Sequence, residues 1–337
     1  MSSIVGFPRI GQNRELKKAL EAFWAGKCSQ SDLENVAKDL RKKHWEAQKH
    51  LDYVCVNDFS YYDNILDLAY ALGAKPQRFK DLSGLEGYFA MARGHAKGVA
   101  CEMTKWFNTN YHYVVPELSQ TDVYQAQIQT LKDQYNEAKA LGYTPKISLI
   151  GLFTFFGLSK IAQGDPKAIF AKLKSAYLDL IDEIAKLDLE VVIEFSEPIF
   201  VRGWHNDTPQ AQCGYDKQAI KEVYEGIAQK GIKTIVTTFF EHSNELTEVL
   251  LQTSIYGIGL DFIAGAKNTQ SLGAIAASNK VLFAGLIDGR NIWVADLESK
   301  LKTLESITAQ IPKERVVITT SCSLLHVPFG KDDESKM

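Results

Sequence analysis

The chain has 337 residues, 45% of them apolar and 23% charged, with a formal net charge of −3. This is the composition of a folded globular protein, and bulk charge gives it no part in coating nucleic acid. No run approaches the ~18 apolar residues of a membrane span, so neither nucleic acid nor membrane is an expected partner.

In chain order, short apolar and β-branched runs at 4–7, 53–56, 111–115, 147–152, 191–195, 234–240, 257–263, 281–287 and 316–320 read as strands. Several are hydrophobic throughout, as strands covered on both faces are. Helices are predicted between them. Ser31 and Glu34 have the spacing of a capping box, ahead of a stripe of Leu33, Val36 and Leu40. Further helical stretches fall at 120–141, 164–187, 216–230, 243–255 and 292–309, the last with Leu297, Leu301 and Leu304 on one face. Strand–helix alternation predicts a parallel sheet, and the expected fold is α/β, a single-domain (β/α)8 TIM barrel over 1–328. Residues 329–337 are expected to form a disordered tail. Nine strand candidates exceed eight places, and 4–7 or 111–115 is the expected extra. An open doubly wound sheet is disfavoured because no GxGxxG follows an early strand. Cys28, Cys55, Cys101, Cys213 and Cys322 are dispersed and never form CxxC. With no signal-peptide core at the N-terminus, they predict a reducing compartment, the cytoplasm.

In such a barrel, function gathers at the C-terminal ends of strands. Asn57, Asp58, His112, Glu117, Glu194, Ser196, Glu197, Glu241, His242, Asp261, Asp288, Ser321 and Cys322 are predicted there, where polar residues serve solubility as readily as chemistry. Three clusters stand out. In the first, Asn13 is placed to cap a helix, with Arg14 and Lys17 beside its free N–H groups, a carboxylate-binding pattern. Spacing alone favours a solvated basic face over that reading. The second, 103–113, combines aromatics, amides and Lys105. It suits a flat heterocyclic ligand, although a core strand explains it too. The third pairs Glu194 with Glu197, but three residues apart on a strand they point to opposite faces, so a hydrolase would need a partner such as Glu241. Zinc needs a compact Cys/His/carboxylate set. The only close Cys/His pair is Cys322 and His326, so no metal site is expected in this chain.

Gly6-Phe7-Pro8-Arg9-Ile10-Gly11, Arg14-Glu15-Leu16-Lys17-Lys18, Phe23-Trp24-Ala25-Gly26, residues 57–63 (NDFSYYD), 105–117 (KWFNTNYHYVVPE) and 321–328 (SCSLLHVP) follow one another along nearly the whole chain. In these motifs the sequence resembles the N-terminal half of cobalamin-independent methionine synthases. The resemblance implies two face-to-face barrels in the parent enzyme, an S-methyltransferase. It moves a methyl group from 5-methyltetrahydropteroyl-triglutamate to homocysteine. It also implies that Arg14, Glu15, Leu16, Lys17 and Lys105 bind the folate triglutamate, reversing the weighting from spacing. The zinc, the homocysteine site and the catalytic residues are implied to belong to the C-terminal barrel, the expected partner, leaving this chain without catalytic residues and inactive alone. The alternatives are a stand-alone folylpolyglutamate-binding or assembly barrel and, third, a barrel hydrolase using Glu197.

Overall fold

The computed structural model describes residues 1–202 and 216–330. In chain order the elements are α1 (Glu15–Trp24), α2 (Gln30–Ala47), β1 (Val54–Val56), α3 (Asn64–Ala71), α4 (Gly84–Arg93), β2 (Met103–Lys105), β3 (His112–Val114), β4 (Glu117–Ser119), α5 (Gln129–Ala140), β5 (Pro145–Ile150) and α6 (Leu152–Gly157). They continue with β6 (Lys160–Gln163), α7 (Pro166–Ala185), β7 (Val192–Ser196), α8 (Lys217–Ala228), β8 (Lys233–Thr238), α9 (Asn244–Leu251), β9 (Gly257–Asp261), α10 (Leu272–Ala277), β10 (Val281–Ile287), α11 (Leu297–Thr308) and β11 (Val316–Thr320).

Seven strands form one parallel sheet in the order β1-β5-β7-β8-β9-β10-β11. The eighth place is taken by the N-terminal segment. Ser3 N–H donates to the Ile318 carbonyl of β11 (2.9 Å) and Ile318 N–H to the Met1 carbonyl (2.9 Å). On the other side, Asp52 N–H donates to the Ser2 carbonyl (3.1 Å). The segment therefore joins the last stave to the first and closes the barrel. The stray strand is 111–115, which forms β3 and pairs antiparallel with β2 outside the wall.

Period-two alternation sorts the strand residues into an outer and an inner set. Ile147, Ile193, Val236, Ile258 and Leu282 belong to the large core beneath the helices. Val192, Ile235, Val281, Phe283 and Val317 form a separate apolar plug. Beyond that plug is a polar layer. The ammonium of Lys146 meets Glu194 and the Ile4 carbonyl, while Thr237 donates to Glu194 (2.6 Å). Gly259 faces Thr237 so closely that a Cβ there would collide with its side chain. Glu194 is thus committed to the barrel interior.

Three local expectations are corrected. The capping box is Ser29 with Asp32, two residues earlier than predicted, because the Ser29 hydroxyl reaches the Asp32 N–H and Asp32 reaches back. The α2 stripe is Leu33, Ala37, Leu40, His44 and Trp45, with Val36 at its margin. On α11 only Ile307 is buried, and Leu297 and Leu301 are 69% and 53% exposed. The expected tail falls mainly on 331–337, outside the described residues; Phe329 stacks edge-on against Phe7 (5.6 Å).

Candidate functional site at the barrel mouth

The C-terminal ends of the strands surround an open cleft of about 520 Å³ with its solvent-filled mouth included, lined among others by Asp58, Asn64, Ser148, Ser196, Tyr111 and His326. Ser148 follows Lys146 by two residues and Ser196 follows Glu194 by two. The alternation that builds the polar layer therefore also aims these serines into the mouth. Asp58 follows β1, and its carboxylate accepts the Phe7 N–H (2.8 Å). Burial pushes Asp58 up to about 6, against the pull of that N–H. His326 is driven down to about 4 by burial and by the Arg290 charge, so it is neutral at physiological pH.

The β2–β3 hairpin lies across this mouth. Its β3 end hangs on α3, where Asp63 caps the helix by accepting from Ile65 and Leu66 N–H and also accepts the Val114 N–H (3.0 Å). The tip is fastened from the opposite rim. Arg290 donates to the Asn108 side-chain oxygen (3.0 Å) and carbonyl (3.1 Å). Arg202 lies over the Phe107 ring (4.7 Å), and Tyr111 meets His326 edge-on (6.2 Å). Trp106 and Tyr111 thereby become walls of the cavity, as the aromatic cluster suggested. The Tyr111 hydroxyl and the Asn64 Oδ1 are buried without a hydrogen-bond partner among the described residues.

Arg14, Glu15, Leu16 and Lys17 all lie at the start of α1. Arg14 is the N-cap residue in left-handed conformation (φ 57°), with no side-chain cap. Asn13 does not cap the helix as predicted; its backbone N–H donates to Glu15 (3.0 Å). Burial pushes the Glu15 carboxyl up, but its own N–H and those of Asn13 outweigh this and hold it below the usual range. Glu15 therefore shapes the turn. Leu16 is fully buried, so its side chain is core. Arg14 and Lys17 are exposed, Lys17 lying 3.7 Å from Glu21. Lys105 is exposed at the end of β2, opposite His112 in the hairpin register. The structure thus puts the cations on two elements, and among the described residues no hydrogen bond or ion pair joins the two sets.

Several other predicted residues are engaged elsewhere. Glu117 makes a two-pronged pair with Arg78 (2.6 and 2.7 Å). Glu197 is completely buried and accepts from the Phe153 and Thr154 N–H groups, the Thr154 hydroxyl and the Tyr224 hydroxyl. It caps α6 and is unavailable as a hydrolytic group. Asp261 accepts from Phe240, Ile263 and Ala264 N–H. Cys322 is buried, and burial raises its thiol to about 12. Arg9, Arg290 and Ser148 were given no role. Arg9 stood within the family motif Gly6–Gly11 without being singled out, and the only signal for Arg290 and Ser148 is a place just beyond or on a strand, shared with many inert residues.

Residues 1–312 match the family model described as "Cobalamin-independent synthase, N-terminal domain". A 5-methyltetrahydropteroyltriglutamate–homocysteine methyltransferase of Desulforamulus reducens is 43% identical over 339 residues, which is 99% of this chain and 43% of the relative. A chloroplastic enzyme of the same name from Arabidopsis thaliana is 41% identical, over 100% of this chain and 42% of its own length. A solved structure from Listeria monocytogenes, described as a vitamin-B12-independent methionine synthase, superposes with TM-score 0.63 at 12% identity. It covers 99% of this chain and 92% of that one, a likeness of fold alone. The chain spans less than half the length of the curated relatives it matches.

Proposed function

The chain belongs to the cobalamin-independent methionine synthase family as its N-terminal domain, and from that premise we propose that it holds the triglutamate tail of 5-methyltetrahydropteroyl-triglutamate while the methyl group passes to homocysteine. The observation that carries this reading is the exposure of cations on two separate elements, Arg14 with Lys17 at the start of α1 and Lys105 on β2, the strand whose hairpin supplies Trp106 and Tyr111 to the cavity wall. A glutamate tail presents several carboxylates at intervals along a flexible chain. Cations on separate elements can take successive carboxylates, and guanidinium forks and ammonium groups bind them through charge-assisted hydrogen bonds. Glu15 serves by fixing the turn that presents Arg14, and Leu16 by anchoring the helix.

We place zinc and homocysteine in a C-terminal barrel of the longer enzyme, the partner of residues 1–328. The donors here do not suit zinc: no group of three Cys, His, Asp or Glu is placed to share a metal among the described residues. Support for a partner facing the mouth comes from the loop after β10. There Ile292, Trp293 and Val294 are 40%, 72% and 96% exposed, an apolar run of the kind that marks an interface. No helix among the described residues is long and apolar enough to cross a membrane; dispersed cysteines, free where they are described, support the cytoplasm as the site of action.

Calorimetric titration with tri- and monoglutamate forms of the folate tests the reading. Arg14→Ala and Lys105→Ala should each weaken the triglutamate by roughly 1.5–3 kcal/mol, with the monoglutamate much less affected. Equal losses for both ligands would contradict a tail-binding role.

A further inference from the structure

We infer that Arg9 is a positioning residue that sets the separation between the Arg14/Lys17 helix and the Lys105 hairpin. This inference rests on the tail-binding reading for its consequence, though not for its geometry.

Arg9 lies in the loop joining the barrel-closing segment to α1. The residues after it are wound tightly onto that helix: the Ile10 carbonyl accepts the Leu16 N–H (3.2 Å) and the Gly11 carbonyl accepts the Arg14 N–H (3.1 Å). Wherever Arg9 is fixed, Arg14 and Lys17 are carried with it. Its guanidinium donates across the mouth's edge to the carbonyls of Ser60 (3.3 Å) and Tyr61 (3.4 Å). Those residues lead directly into Asp63, whose carboxylate holds the β3 end of the hairpin through Val114 (3.0 Å). From β3 the antiparallel register passes directly to Lys105, opposite His112. Arg9 is therefore the side-chain link in a short bonded route from one cationic set to the other.

Electrostatics reinforces the link. Asp63, buried at the N-cap of α3, and Asp67, half-buried one turn later, are pushed up to about 6 and about 7 by loss of solvent. Arg9 is the cation whose charge acts on both, and it also acts on Tyr111 in the hairpin. The two carboxylates and the one nearby guanidinium attract each other, and a single guanidinium nitrogen, Nη1, reaches both carbonyls. A lysine keeps the charge but is a compact donor on a flexible stem, so it holds the position less firmly.

The test uses the full chain with spin labels at two exposed sites outside the cationic sets, Lys18→Cys on α1 and Met103→Cys on β2, with Cys28 and Cys213 changed to Ser. With Arg9 present, pulsed dipolar spectroscopy should give one narrow distance. Arg9→Ala should shift or broaden it, and Arg9→Lys, which keeps the charge and guards against a folding failure, should broaden it less. Titration should show about tenfold weaker triglutamate binding for Arg9→Ala, the loss of roughly one charged hydrogen bond, with the monoglutamate changed less than about twofold. An unchanged distance in both variants would overturn the inference. So would an equal loss of both ligands accompanied only by a lower melting temperature. If the distance moves but the unsubstituted chain shows no preference for the triglutamate, the strut stands and the tail-binding reading falls.

Discussion

His44 shows how burial at one residue sets a pH dependence. It is buried on α2 against Phe7 (4.9 Å) and Phe329 (5.9 Å), and its Nε2 finds no partner among the described residues. Burial lowers it to about 4 from 6.5, so the unfolded chain takes up the proton first. Its contribution is complete above pH 6.5 and is lost as pH falls toward 4, by at most about 3 kcal/mol. In urea unfolding, the native protein should therefore lose ground to His44→Leu between pH 6.5 and 4; parallel pH curves for the two proteins would refute the assignment. No sequence pattern could have placed His44 in an aromatic box, because Phe7 and Phe329 lie 37 and 285 residues away along the chain. Arg14 and Lys17 were legible only through the motif. By spacing they looked like any solvated basic face, and their exposure agrees with either role.

Among the elements, α11 separates pattern from burial. Leu297, Leu301 and Leu304 have the spacing of a core-facing stripe, which Ile307 continues one turn on. Only its C-terminal end faces the core, with Ile307 buried and Leu304 packed at the margin. Leu301→Ser should therefore change stability by no more than about 0.5 kcal/mol, whereas Ile307→Ala should cost about 2–5 kcal/mol through the cavity it leaves. The comparison requires denaturant midpoints for both variants, and a large cost at Leu301 would show that the stripe is covered. Periodicity reports which residues share a helix face, but not how much of that face the neighbouring sheet reaches. Helix starts were similarly one step from legible: α1 begins at Arg14 in left-handed backbone with Gly11 (φ 83°) behind it, where a Cβ would strike Glu15 and Leu40. The sequence offered Asn13 as a cap because its side chain commonly plays that part. The tight turn instead turned Asn13 toward Glu15.

On the scale of the whole molecule, closure depends on a segment too short and irregular to count as a strand. Ser3 is buried, and its N–H donates to β11. Ser3→Pro removes that donor and should destabilise the barrel by roughly 2–3 kcal/mol. Hydrogen exchange should show the effect at Ile318, which donates to Met1, before it reaches β7 and β8. Unchanged protection at Ile318 would mean that the N-terminal segment does not seal the wall.

The sequence by itself determined the kind of fold, seven of the eight staves and the family. Strand alternation and family motifs are short-range patterns that survive in a linear string. Its motifs also singled out Arg14, Lys17 and Lys105, the cations proposed to meet a glutamate tail. Only the tertiary structure decided that the N-terminal segment closes the barrel and that the strand at 111–115 leaves the wall to form a hairpin over the mouth. It also decided that Glu197 caps a helix and that Arg9 ties the two cationic sets together. Each of these depends on hydrogen bonds or buried charges between residues about forty or more positions apart, or on a loop's exact turn. Such choices are settled by which buried polar groups can find partners once the chain is packed, and no local spacing carries that information.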